Sequence, residues 1–321
     1  MAGRIARGLR LGIGLAGLLA FAGCGMLSDQ GRVPARPPAR PIERTAPVPS
    51  AKSAALARHY RRLQAHLLAQ GLLRRDGGGV DTPYTAEDVA RNFERIAFYD
   101  EYARGGGLRS ARDGPGVLRR WRVPVRLRVE FGATVPQAVR DTDGPAVAAY
   151  AERLARLTRH PVTVSDRNPN FHVIIATEDD RAQTIARVRA LAPGIGPATM
   201  ALVKNPPRNI YCFVLTFSGT NSSDTPDTHD KAIALIRAEQ PDLMRRSCIH
   251  EEMAQGLGLG NDSPTARPSI FNDDEEFALL TSHDEELLRL LYHPALRPGM
   301  SLDEARPVIR RLLDERANVP A

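Results

Sequence analysis

Hydrophobic and polar positions change their period along this chain, and the changes mark its elements. Over 51–73, Leu56, Tyr60, Leu63, Leu67 and Leu68 recur at helical spacing, and Gly77-Gly78-Gly79 closes the segment. A second helix is predicted after Thr85, which can cap it with Asp88 three residues on. Val89, Phe93, Ile96, Ala97 and Tyr99 follow, and Gly105-Gly106-Gly107 ends it. The period then falls to two. Trp121, Val123, Val125, Leu127, Val129 and Phe131 alternate with Arg122, Pro124, Arg126, Arg128 and Glu130, the pattern of a half-buried strand. Beyond it, 147–157 reads as a helix, 162–164 and 171–176 as strands, and 179–191 as a helix. Strands follow at 211–217 and 232–238, and helices near 243–257, 284–292 and 302–314 close the chain. There is no internal repeat and no glycine-rich phosphate loop. The order is α+β: a mixed sheet whose last strands feed a helix, preceded by an N-terminal helical segment.

Ahead of these elements the chain has a different character. Arg4, Arg7 and Arg10 precede a short apolar stretch, 11–22, that falls below the ~20 residues a transmembrane helix needs. The layout is that of a secretory signal. It ends in Phe21-Ala22-Gly23-Cys24, which resembles a bacterial lipobox, with Phe21 standing where Leu is usual. The resemblance implies that Cys24 is acylated and becomes the new N-terminus. Six prolines between residues 28 and 50, among Arg, Ala and Ser, read as an extended spacer. The expected organisation is a signal peptide over 1–23, a Pro/Arg-rich tether over 24–50, a helical segment over 51–117 and the main domain over 118–321. The expected location is the bacterial cell envelope, lipid-anchored and facing the periplasm. Gly25 in place of an aspartate slightly favours the outer membrane.

Charge agrees with that division. The chain carries a net +7. Residues 1–50 hold seven arginines against Asp29 and Glu43, which leaves +5 there and +2 on the remaining 271 residues. The basic balance belongs to the leader and tether, so a nucleic-acid partner is not expected. Of three cysteines, Cys24 is assigned to lipid. Cys212 and Cys248 then remain as an even pair in an oxidising compartment, where a disulfide is allowed; two buried free thiols are the alternative.

Candidate chemistry sits in one run, Cys248-Ile249-His250-Glu251-Glu252-Met253-Ala254-Gln255-Gly256-Leu257-Gly258-Leu259-Gly260-Asn261-Asp262-Ser263. A zinc helix places ligands at i and i+4, with a glutamate beside the first. From His250, i+4 is Ala254, which binds no metal. In the next register Glu251 and Gln255 form the i, i+4 pair and Glu252 takes the place of the catalytic glutamate. Gly258 and Asn261 follow seven and ten residues after Glu251. These are the offsets of the metzincin signature, His-Glu-x-x-His-x-x-Gly-x-x-His, in which a glycine at positive φ turns the chain so that a third ligand can return. Ser269-Ile270-Phe271 stands where the turn beneath a metzincin metal site would lie, without its methionine. His283 to Tyr292 resembles the final helix, and the strand at 232–238 stands where the edge strand precedes the active-site helix. With Ser269-Ile270-Phe271-Asn272-Asp273 and Pro298-Gly299-Met300, the run also resembles an uncharacterised bacterial family, domain of unknown function 2927, which implies an exported protein with a zincin-like fold.

All three histidine positions of that signature are replaced, by Glu251, Gln255 and Asn261. One carboxylate and two amide oxygens are hard, weak donors that suit Ca²⁺, Mg²⁺ or Mn²⁺ better than Zn²⁺, and adding Asp262 does not restore a zinc site. Without a metal, Glu252 has no activated water to deprotonate. No cofactor is expected, with a divalent metal as the alternative. Three readings follow: a degenerate zincin with a binding or assembly role toward an envelope protein or peptide, an active metal-dependent hydrolase with a Glu/Gln/Asn site, or a glycine-capped polar helix on an unrelated fold. His250 lies about 100° around the helix from Glu251 and is expected to pack or face the surface. His283-Asp284 reads as a helix N-terminal pair, and Asp273-Asp274-Glu275-Glu276 as a solvated face rather than a calcium loop.

Overall fold

A computed structural model describes residues 48–100, 114–218 and 227–317. The signal segment, Cys24, the tether up to residue 47 and the triglycine at 105–107 lie outside the described residues.

The interior is organised by strands whose two faces are both covered. β4 (Phe171–Ala176) is apolar apart from His172, and β6 (Thr228–Arg237) becomes apolar from Ala232 to Ile236, as interior strands of a parallel sheet are. Their side chains sort by parity. Val173, Ile175, Ala234 and Ile236 enter one core; Ile174, Ile233 and Leu235 enter a second. The sheet runs β1 (Arg120–Trp121), β6, β4, β2 (Val125–Phe131), β3 (Val162–Val164), with every neighbouring pair parallel. β5 (Cys212–Ser218) pairs antiparallel with β6 and forms an edge. The order corrects one expectation: β6 is interior, and the antiparallel edge before the motif helix is β5.

The larger core lies between this sheet and α2 (Ala86–Phe98), α3 (Gln137–Thr158), α6 (Asp242–Leu257), α7 (Ser282–Leu291) and α8 (Leu302–Ala317). The smaller core is closed by α4 (Arg181–Leu191), which follows a 3-10 turn at Glu178–Asp180, and by α5 (Pro197–Lys204). The result is an α+β unit with helices on both sheet faces. α1 (Ala51–Ala69) packs apart from these, with Tyr60 and Leu67 against Leu73, Met244 and Ala278. Tyr60 is fully buried, its hydroxyl donates to the Arg208 carbonyl at 2.9 Å, and Gln64 Oε1 accepts from Met244 N at the start of α6. α2 places Val89, Phe93 and Ile96 in the main core, so the helical segment and the sheet share one interior.

Local signals account for several boundaries. Thr85 and Asp88 form the reciprocal cap expected of them, and the helix they start ends at Phe98, ahead of the glycines read as its stop. Elsewhere the structure departs from the pattern. The single strand expected over 121–131 is two: Pro124 cannot donate to a ladder, so the chain breaks there and leaves β1 on β6 and β2 between β3 and β4. α3 begins ten residues before its expected start and carries Pro145 in its interior. α5 was not expected from the pattern, and β6 starts at Thr228 rather than 232.

Candidate functional site

α6 carries the motif, and its position is set at both ends. At its start Arg245, 2% exposed, donates to Asp143 of α3 through Nε at 2.7 Å and Nη2 at 3.2 Å, to Asp242 at 2.7 Å and to the Gln240 carbonyl. At its end the carbonyls left without helical partners are taken up by two aromatics. Trp121 Nε1 donates to the Gly256 carbonyl at 2.8 Å and Tyr292 Oη to the Leu257 carbonyl at 2.9 Å. Burial of the phenol pushes the Tyr292 pKa well up, so it stays a donor.

Gly258 stops the helix at φ 129°. A Cβ there would lie 2.3 Å from the Arg119 carbonyl oxygen. Backbone conformation and space therefore both demand glycine. A Gly258→Ala variant is expected to lose about 2–3 kcal/mol of stability, measured as a lowered urea midpoint with the slope unchanged. An unchanged midpoint would mean the turn relaxes freely.

The Glu251 and Glu252 carboxylates lie with Cys212 Sγ in a cluster whose ligand atoms are all within 4.8 Å of one another. Cys212 is joined to Cys248 in a disulfide, Cα to Cα 5.9 Å, which ties edge strand β5 to α6. Its sulfur is therefore not a thiolate donor. Gln255 and Asn261 each donate through the side-chain amide nitrogen. Gln255 Nε2 donates to Asp262 Oδ1 at 3.3 Å. Asn261, 3% exposed, donates through Nδ2 to the Arg95 carbonyl at 3.0 Å and so caps the last turn of α2. The pairing of Asn261 with α2 had no signal in the sequence.

His250 is not part of this set. It stacks on Tyr150 with ring centroids 3.9 Å apart, and its Nδ1 accepts from Leu280 N at 3.1 Å. Burial, helped by Arg153 and Arg246, pushes its pKa down to about 3, so the ring is neutral. His283 and Asp284 are both fully buried. Asp284 completes the cap with Thr281 and also accepts from Ser269 Oγ at 2.5 Å and Ile270 N at 3.0 Å, which fixes the 269–271 turn. The acidic run at 273–276 is solvated at Asp273 and Asp274, as expected, while Glu275 and Glu276 are partly covered. Glu276 bonds Arg74 and Arg267. Glu275 sits at φ 59°, and burial, with Asp273 and Asp274 beside it, pushes its pKa up to about 7.

A family described as "Protein of unknown function (DUF2927)" matches residues 86–311. The chain belongs to this family. The DUF2927 match opens at the first residue of α2, closes inside α8, and so takes in the sheet, the motif helix and the Asp284-held turn. No curated protein and no solved structure matches the chain. Among the described residues of this DUF2927 protein, no helix is long and apolar enough to cross a membrane.

Proposed function

We propose that this DUF2927 protein is a lipid-anchored envelope protein built on a zincin-like scaffold, in which metal catalysis gives way to a binding or assembly role. The observation that carries the reading is the use made of the would-be ligands. Asn261 caps α2, Gln255 is bonded to Asp262, and the sulfur nearest the Glu251–Glu252 pair is oxidised. Imidazole or thiolate donors are what a zinc centre requires, and these positions offer neither.

The scaffold part of the reading is supported by position. A mixed sheet with one antiparallel edge strand leads through β6 directly into the motif helix. The helix turns at a positive-φ glycine, and the 269–271 turn is fastened to the helix that follows. The envelope part is supported by the leader, by Cys24 in its lipobox-like setting, and by a disulfide of the kind that oxidising compartments permit. Its partners are then the membrane, through lipid on Cys24, and an envelope protein or peptide, with the outer membrane slightly favoured and no nucleic acid.

The proximity of Glu251 and Glu252 favours a second reading, a hydrolase using a hard divalent cation held by carboxylates. Metal content separates the two. The full chain is purified without chelator beside a Glu251→Ala variant and analysed by mass spectrometry. The binding-module reading expects no stoichiometric metal in either. Roughly one metal per chain, lost in the variant, would overturn it and make the hydrolase the working reading.

A further inference from the structure

We propose that a depression beside the start of α8 binds a phosphoryl-bearing dianion. The hollow measures about 510 Å³, within the range of small-molecule sites, and Arg120, Arg122, Arg297, Pro298, Gly299 and Glu304 line it. It is separate from the Glu251–Glu252 cluster and does not rest on the reading of α6.

Charge is the first reason. Three guanidinium groups share one hollow with one carboxylate, which faces Arg297 and leaves a positive balance. Glu304 accepts from Ser301 N at 2.8 Å and Ser301 Oγ at 2.7 Å as the cap of α8. The adjacent Arg119, by contrast, faces Asp100 at 3.7 Å and Asp227 at 3.9 Å. Arg120 is partly buried and held in place. Its Nη2 donates to the Leu296 carbonyl at 2.7 Å, and its guanidinium lies 5.2 Å over the Tyr292 ring. Its Nε is buried without a hydrogen-bond partner. A cation fixed in this way beside Arg122 is electrostatically strained, and an anion in the hollow relieves the crowding of like charges.

Shape is the second reason. The walls are stitched together: Leu118 N donates to the Met300 carbonyl and Gly299 N to the Leu118 carbonyl, each at 2.9 Å. Gly299 adopts φ 85°, where a side chain is disfavoured. The run Pro298-Gly299-Met300 thus forms a fixed rim, and a fixed rim lowers the ordering cost of binding. The exposed forks of Arg122 and Arg297, with the fixed charge of Arg120 behind them, offer more donors than one planar carboxylate can accept. A tetrahedral phosphoryl group, with three oxygens and up to two charges, matches them.

The test is calorimetric titration of the full chain with inorganic pyrophosphate. Arg122→Ala/Arg297→Ala removes two exposed arginines of the hollow, and Arg61→Ala/Arg62→Ala removes two exposed arginines of α1 as a charge-matched control. Expected is saturable binding to the wild type, weakened about tenfold or more in the first variant and unchanged in the second. Equal weakening in both variants, or no saturable binding to the wild type, overturns the site. Vesicles carrying phosphatidic acid, compared with neutral vesicles, then identify the source. Vesicle binding lost with the first variant assigns a lipid headgroup, and pyrophosphate binding without it assigns a soluble phosphoester.

Discussion

An Arg245→Met variant is expected to lose about 3–5 kcal/mol of stability, because it leaves the Asp143 carboxylate buried and without its guanidinium partner. Both side chains are nearly inaccessible, at 2% and 5% exposure. Little water can reach Asp143 to replace the two charge-assisted bonds. Removing both charges is a different experiment. Arg245→Met with Asp143→Leu deletes the pair and leaves apolar groups of similar bulk, so most of the loss is recovered. Chemical denaturation of the two single variants and the double variant gives the coupling directly. Simple additivity of the single losses would show that each residue acts alone and that the pair does not hold α3 to α6.

A slope of stability between pH 5 and 7 that departs from the wild type in opposite senses in two variants is the second expected result. His250 has a folded pKa of about 3 against 6.5 unfolded. A depressed pKa means its contribution is full above pH 6.5 and is lost as pH falls toward 3. Between pH 7 and 5 that loss is about 2 kcal/mol. Glu275 behaves oppositely. Its folded pKa is about 7 against 4.5 unfolded, so its contribution is full below pH 4.5 and is lost as pH rises through 7. Between pH 7 and 5 it gains about 2 kcal/mol, which offsets the histidine. Relative to the wild type, Glu275→Gln is therefore expected to tilt stability downward toward pH 5, and His250→Phe, which keeps an aromatic ring on Tyr150, to tilt it upward. The readout is the slope of urea-derived stability against pH, so a fixed cost of either substitution does not obscure it. Slopes identical to the wild type in both variants would show that neither group is titrating out of its ordinary range.

Local chemistry was legible in the sequence, and pairings between distant segments were not. Thr85 with Asp88 and the apolar run 171–176 announced a capped helix and a buried strand, because each signal lies within a few residues. Pro124 and Pro145 misled in opposite ways. The first broke a strand that alternation joined, and the second hid a helix that runs through it. In the site, the offsets of Glu251, Gln255, Gly258 and Asn261 located the helix and its turn, but not what each side chain would meet. Asn261 reaches the Arg95 carbonyl of a helix far upstream, and no spacing rule encodes that. The arginine hollow was invisible for the same reason: Arg120 and Arg122 meet Arg297 only once β1 lies beside the chain leading into α8.

The fastening of α1 determines how the molecule would carry a mechanical load. Its first residues are held at one corner, where β4 leads out and β6 ends. Ser50 N donates to Asp179, Lys52 pairs with Glu178, and Ser53 Oγ donates to Glu239. Tension on the residues at the start of α1 would therefore meet these polar contacts first, ahead of the ladders of the parallel strands. Load passed along α1 would next meet Tyr60, Leu67 and Gln64, which pack on and bond Met244, so a pull on the helix would be felt first at the start of α6.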